Sequence, residues 1–373
     1  MQEKLTQLLQ WLHEHPEVGL RETETTRKLR QVLEAHGITV LDSGLETGLV
    51  AEIRGAKPGR TIGLRADIDA LPIQEDEGNP WVSKHPGCMH ACGHDFHAAS
   101  VMGAALMLHE CRDSWNGTVK VVFQPAEEID RGGALVKASG IVDDCEVFLA
   151  GHTYAAFPAG MIGIKEGAVM AAVDRFRVTL RGRGVHAAHP QKGVDPIPCM
   201  AALVQSLQTI VSRSMDPFAP RLVSITHVEA GNTWNVIPET VLLEGTVRTL
   251  DEADREIVAR RFREITLGTA AAYGVQAEID WQRGSPAVVN DDALCALARE
   301  VAPRCGLTPA RQENTLGGED FSLYGQGRPS LFVRIGTGGD YPAHHPRFTV
   351  DPAALMPAAV FFREMALEVL KQG

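Results

Sequence analysis

Arg175-Phe176-Arg177-Val178-Thr179-Leu180-Arg181 opens the stretch on which the fold turns. It reads as a strand, followed by helix Pro196–Arg213, strands Leu222–Glu229 and Thr240–Thr249, helix Glu252–Tyr273 and strand Gln276–Gln282. That order, β-α-β-β-α-β, is the ferredoxin-like split arrangement, a self-contained α+β set of elements. The sequence on either side has another pattern. Leu5, Leu8, Leu9, Leu12, Leu29, Val32 and Leu33 recur at helical spacing around a turn at His15–Gly19, so a pair of helices is expected to open the chain. Strands are expected at Gly48–Ile53 and Thr61–Ala66, a helix at His97–Glu110 and a buried strand at Thr118–Phe123. After Pro286 the chain returns to helix, strand and helix, with Leu331–Ile335 as a buried strand. Strands alternating with helices imply a layered α/β domain. The simplest organisation is a larger α/β domain from residues 1–172 and 285–373, with 173–284 inserted and the second piece completing the first piece's sheet.

A chain of 373 residues is long for one core, which agrees with two domains of ordinary size. Its net charge of -11, with basic residues scattered, offers no electropositive footprint for phosphate backbones, so no nucleic-acid partner is expected. The N-terminus lacks a basic start followed by an apolar core, and no apolar run approaches the length of a membrane span; the expectation is a cytoplasmic protein with no membrane partner. Seven cysteines are too few for a disulfide scaffold, and Cys111, Cys145, Cys199, Cys295 and Cys305 read as small core residues. Cys88 and Cys92 differ because they lie in a histidine cluster.

That cluster holds His85, Cys88, His90, Cys92, His94, Asp95 and His97. Thiol, imidazole and carboxylate are the ligands of zinc and related divalent ions, and a Cys-x-His pair on a glycine-relaxed loop can aim both groups at one ion. The competing readings are solvated loop histidines with a core thiol, or a structural zinc knuckle, for which no second Cys or His pair follows at the usual spacing. Strand Thr118–Phe123 runs into Gln124-Pro125-Ala126-Glu127-Glu128. Adjacent carboxylates there point in different directions, so one can ligate while the other faces a water and serves as general base; a solvated acidic turn is the alternative. Ala150-Gly151-His152 and Pro342-Ala343-His344-His345-Pro346 each put histidine at a strand end, where α/β sheets build sites, although a lone histidine in such a loop is more often structural. Asp67 and Asp69, in Leu64-Arg65-Ala66-Asp67-Ile68-Asp69-Ala70-Leu71-Pro72, leave a strand on one face, either to orient a histidine ligand or to cap a turn.

In combination these motifs resemble the M20 metallopeptidase and amidohydrolase family, in the branch of hippurate hydrolases, aminoacylases and auxin-conjugate amidohydrolases. The resemblance runs from Leu12-His13-Glu14-His15-Pro16-Glu17 through Arg65–Pro72, Cys92–His97, Pro125–Glu128 and Gly182–Pro190 to Asn235–Pro238, Gly317–Phe321 and His344–Pro346. It implies a site for two divalent ions held by Cys92, His94, Glu128, His152 and His344, with Glu127 as general base. Of the adjacent C-terminal histidines, His344 matches the family ligand, which stands two residues before the proline. The resemblance also makes the inserted domain a lid and homodimerisation domain, in which His186 polarises the scissile carbonyl and Asn235 supports the oxyanion or substrate. This chain departs from the pattern at Ile129-Asp130-Arg131, where many relatives are glycine-rich, and at Gly151 and Ala343, which replace larger apolar residues.

The implied reaction is hydrolysis of small N-acyl amino acids to a carboxylic acid and an amino acid, with zinc, manganese, cobalt or nickel as the ions. N-acetyl, benzoyl, indoleacetyl and aminobenzoyl conjugates, and also dipeptides, fit that chemistry. Two other classes compete: a thiol hydrolase using Cys92 as nucleophile, and a metal-stabilised binding scaffold without catalysis.

Overall fold

The computed structural model describes residues 1–372. The chain divides into two compact units, one of Met1–Val169, Val289–Glu313 and Asp320–Gly373, the other of Met170–Val288 and Asn314–Glu319.

The first unit is built on an eight-stranded mixed sheet, ordered Thr39–Val40, Leu49–Arg54, Thr118–Gln124, Thr61–Asp67, Val147–Tyr154, Ser330–Gly336, Met161–Ile164 and Thr308–Arg311. Thr61–Asp67 lies parallel to both Thr118–Gln124 and Val147–Tyr154, and Ser330–Gly336 lies parallel to Val147–Tyr154. Central parallel strands are covered on both faces and therefore read as continuous apolar runs, as in Val119–Phe123. Helix His94–Glu110 is buried nearly all round and packs between sheet and the helices Gln2–Glu14 and Leu355–Leu370, which accounts for its lack of a polar face. The strand after residue 286 does complete this sheet, through Ser330–Gly336.

One local expectation needs correction, and one edge strand is additional to those expected. The helix expected from His97 begins at His94, because Gly93 adopts a left-handed conformation (φ 83°) and turns the chain into the helix just after Cys92. Cys92 therefore stands before the helix and His94 on its first turn, rather than both on one loop. Thr308–Arg311 is a further strand; it contains Pro309 and sits at the sheet edge, where a missing N–H costs no ladder bond.

The second unit contains an antiparallel sheet ordered Arg221–Ala230, Thr240–Thr249, Ala172–Arg181 and Gln276–Arg283, with helices Pro196–Arg213 and Glu252–Ala272. Phe176, Val178 and Leu180 alternate inward and pack with Leu203, Leu207 and Phe262 in a core of their own. Gly245 faces Phe176 in register, and a Cβ there would lie 2.4 Å from that ring, so the aromatic fixes glycine on the neighbouring strand. Buried Asp174 accepts from Arg255 and, at 3.1 Å, from Trp281 Nε1. No described helix is long and apolar enough to cross a membrane.

Candidate metal centre

The site in the first unit lies where parallel strands end. Asp67 and Gln124 are register partners at the ends of adjacent strands, and His152 lies near the end of the next one. Open α/β sheets collect ligand groups at these carboxyl ends. The turn after Gln124 has Ala126 and Asp130 at positive φ (55° and 56°), and the Ala126 carbonyl accepts from the N–H groups of Arg131 and Gly132. This tight turn carries Glu127 and Glu128. The Ala126 N–H is in turn held by Glu22 Oε1 at 2.8 Å.

Four groups of potential ligands in this unit, each with its donor atoms mutually within 4.8 Å, overlap here: Cys92, His94 and His152; Cys92, Glu128 and His344; His94, Glu127 and Glu128; and Asp67, His94 and His97. Cys92 Sγ is 3.3 Å from His152 Nε2. Glu128 Oε1 is 3.4 Å from His344 Nε2 and 3.8 Å from His94 Nε2, and Glu127 Oε2 is 4.0 Å from His94 Nε2. Cys92, His94 and Glu128 each belong to more than one group, an arrangement that suits a pair of neighbouring ions.

Each imidazole is oriented through its other nitrogen. His94 Nδ1 lies 3.2 Å from Asp69 Oδ1, while Asp69 Oδ2 accepts the Glu128 N–H at 3.0 Å, so Asp69 positions two candidate ligands together. His152 Nδ1 donates to the Thr153 carbonyl at 2.9 Å, which leaves the Nε2 lone pair facing Cys92. His344 is pinned by its N–H to the Ala91 carbonyl at 2.7 Å and holds φ 68°, an unusual conformation for a residue with a Cβ.

The electrostatics follow from burial and neighbours. Burial pushes the Cys92 thiol up to about 12 and holds His152 well below the ordinary imidazole range. Burial also opposes charge on His94, but the Asp67 and Asp69 carboxylates outweigh it and raise its basicity well above normal. A divalent cation fits these residues on an observation independent of their type: the buried atoms His94 Nε2 and Glu128 Oε1 have no hydrogen-bond partner. Orphaned buried polar atoms are costly, and a cation in place of the His94 Nε2 proton would satisfy both.

The remaining histidines of the cluster separate. His85 Nδ1 lies 2.8 Å from the Pro16 carbonyl, and buried His90 has no partner at either nitrogen. His97 was not singled out as a site residue by its sequence; it stands between Asp67 and Thr153, close to the ligand groups. The signal for it lay in its spacing, one helical turn beyond Gly93.

In the second unit, His186 and Asn235 come together on a two-stranded ribbon in which His186 pairs with Val236 and the Ala187 N–H donates to the Asn235 carbonyl at 3.0 Å. His186 Nδ1 accepts the Ala188 N–H at 3.1 Å, so its proton resides on Nε2 and the exposed ring presents a donor. Thr233 Oγ1 donates to Asn235 Oδ1 at 3.1 Å, which engages the amide oxygen and leaves the NH2 as a second donor.

A layered α/β unit with thiol, imidazole and carboxylate groups converged at strand ends, joined to a separate antiparallel unit, is the architecture of a metal-dependent hydrolase. Residues 63–368 match peptidase family M20/M25/M40, and the chain belongs to that family. It is 45% identical over 361 residues to an N-acetylcysteine deacetylase of Bacillus subtilis, covering 96% of this chain and 95% of that one. It is 39% identical over 292 residues to an N-acyl-L-amino acid amidohydrolase of Geobacillus stearothermophilus, covering 77% and 79%. Among solved structures, a Bacillus subtilis dinuclear metal binding peptidase from the M20 family superposes with a TM-score of 0.90 at 42% identity, over 99% of this chain and 98% of that one.

Proposed function

We propose that this chain is a metal-dependent amidohydrolase that converts small N-acyl amino acids to a carboxylic acid and a free amino acid. The observation that carries the reading is the overlap of ligand groups at Cys92 and Glu128 with Glu127 beside them. Two divalent ions, zinc, manganese, cobalt or nickel, would be held by Cys92, His94, Glu128, His152 and His344. When bound they supply Lewis acidity toward the acyl carbonyl and lower the pKa of water.

The chain's own residues do the rest. Glu127 takes a proton from the attacking water as its oxygen bonds to the acyl carbon, then delivers that proton to the amide nitrogen as the C–N bond breaks. Asp69 keeps His94 and Glu128 in register with each other. His186 Nε2–H and the Asn235 amide are donors suited to charge developing on the carbonyl oxygen. On this reading, residues 1–172 and 285–373 form the catalytic domain, and 173–284 form a lid through which a homodimer assembles. The thiol-nucleophile alternative is disfavoured by the burial of Cys92, which raises its thiol pKa and so works against a free thiolate.

The name of the 45%-identical relative makes N-acetylcysteine the first compound to assay, followed by benzoyl, indoleacetyl and aminobenzoyl conjugates and by dipeptides. Release of amine is expected from metal-loaded protein, abolished by chelation and restored by one of the four metals. Binding of N-acyl amino acids with no amine released under any metal would leave a non-catalytic scaffold and overturn the proposal.

A further inference from the structure

His97 lies on helix His94–Glu110 with both ring nitrogens engaged. Nε2 is 2.8 Å from the Thr153 backbone nitrogen. A backbone N–H can only donate, so Nε2 must be the acceptor and Nδ1 must carry the proton. That proton goes to Asp67 Oδ1 at 2.5 Å. Asp67 Oδ2 is held by Arg65 Nη1 at 2.7 Å, and Arg65 Nε and Nη2 are anchored on Gln124 at 3.0 Å and Asp320 at 2.8 Å. All of these side chains are buried.

Thr153 is where this chain of bonds meets the metal centre. Its hydroxyl donates to the Cys92 carbonyl at 2.9 Å, and its carbonyl accepts from His152 Nδ1 at 2.9 Å. Its side chain packs on Gly93, where a Cβ would sit 2.7 Å from the threonine oxygen. Strand Val147–Tyr154 pairs with Thr61–Asp67 only as far as Leu149, so no strand reaches Thr153 on that side. His97 occupies the gap and supplies the acceptor that the missing strand would have given.

We infer that His97 is a positioning residue: through Thr153 it fixes the backbone and ring of His152 and the carbonyl of Cys92, so that Nε2 and Sγ face one ion. The inference rests on the proposed metal centre and goes beyond it, because it assigns a histidine that looks like a ligand to the support of two others. His97 cannot itself bind an ion without releasing either Thr153 or Asp67.

The test is titration of metal-free protein with cobalt(II), read by bound metal per chain and by the charge-transfer band of the Cys92 thiolate on cobalt. His97→Leu, similar in bulk but without an acceptor, is expected to weaken cobalt binding about 10- to 100-fold and to shift or abolish the band. His97→Gln, whose amide oxygen can take the Thr153 N–H, is expected to stay close to wild type in both. Wild-type affinity and an unaltered band in folded His97→Leu overturn the inference, as does a folded His97→Gln as weak as His97→Leu. If His97→Leu does not fold, NMR of the histidine ring nitrogens in isotope-labelled metal-free wild type decides: the Nδ1–H tautomer supports the inference and an Nε2–H tautomer overturns it. Wild-type protein that takes up no cobalt overturns the metal-centre reading itself, a result separable from intact binding that is indifferent to residue 97.

Discussion

His13 should make the stability of this protein fall as pH rises above neutrality. Its Nδ1 lies 2.7 Å from Asp95 Oδ2 and its Nε2 3.0 Å from Glu75 Oε1, with all three residues buried. Ionised carboxylates only accept, so both nitrogens carry protons and the ring is a cation. Burial disfavours that charge, but Asp95 and Glu75 outweigh it and raise the pKa from 6.5 to about 10. A group bound more tightly to its proton in the folded state contributes fully below its unfolded pKa and loses that contribution as pH approaches the folded value. The window is therefore about pH 6.5 to 10, and at about 1.4 kcal/mol per pH unit the loss across it is on the order of 5 kcal/mol. Urea unfolding of wild type and His13→Gln at several pH values isolates this from other titrations. The substitution leaves two buried carboxylates without their cation, so the variant should be about 3–5 kcal/mol less stable near pH 6, with a gap that narrows toward pH 9. A gap that stays constant with pH would show that His13 is neutral and refute the reasoning.

Three further outcomes follow from the same geometry. Glu127→Gln should retain both metal equivalents while kcat falls about 10²- to 10⁴-fold, measured by metal analysis beside amine release; near-normal turnover would remove Glu127 as the base. Cys92→Ser should lower metal content as well as activity, because Cys92 belongs to two of the ligand groups; full metal loading in that variant would place the ions elsewhere. Asp174→Ala strips buried Arg255 of its carboxylate and Trp281 of its acceptor. It should cost about 3–5 kcal/mol in denaturant unfolding, and a loss below about 1 kcal/mol would mean that Arg255 re-pairs.

How far the sequence reveals the site depends on what kind of bond makes it. Residue types announce candidates, and the motif resemblance selects among them: it singles out Cys92, His94, Glu128, His152 and His344 from a larger set of thiols, imidazoles and carboxylates, and their donor atoms fall into overlapping groups. The ferredoxin-like order was legible for a similar reason, since its inward Phe176, Val178 and Leu180 alternate within one strand. Backbone groups are silent in a sequence. Thr153 acts mainly through its N–H and carbonyl, which every non-proline residue owns, so nothing in Gly151-His152-Thr153 marks it as the joint between two ligand segments. Residues that act on such groups inherit that silence: His97 is one more metal-prone histidine in its cluster, and the Gln124 and Asp320 that close around Arg65 come from far along the chain. The helix boundary failed for a related reason, because His94 and Asp95 are mediocre helix formers held helical by tertiary bonds to Asp69 and His13. Side chains that could hold an ion are thus recognisable by type and motif; side chains that hold the backbone behind them become visible only in the register of the strands.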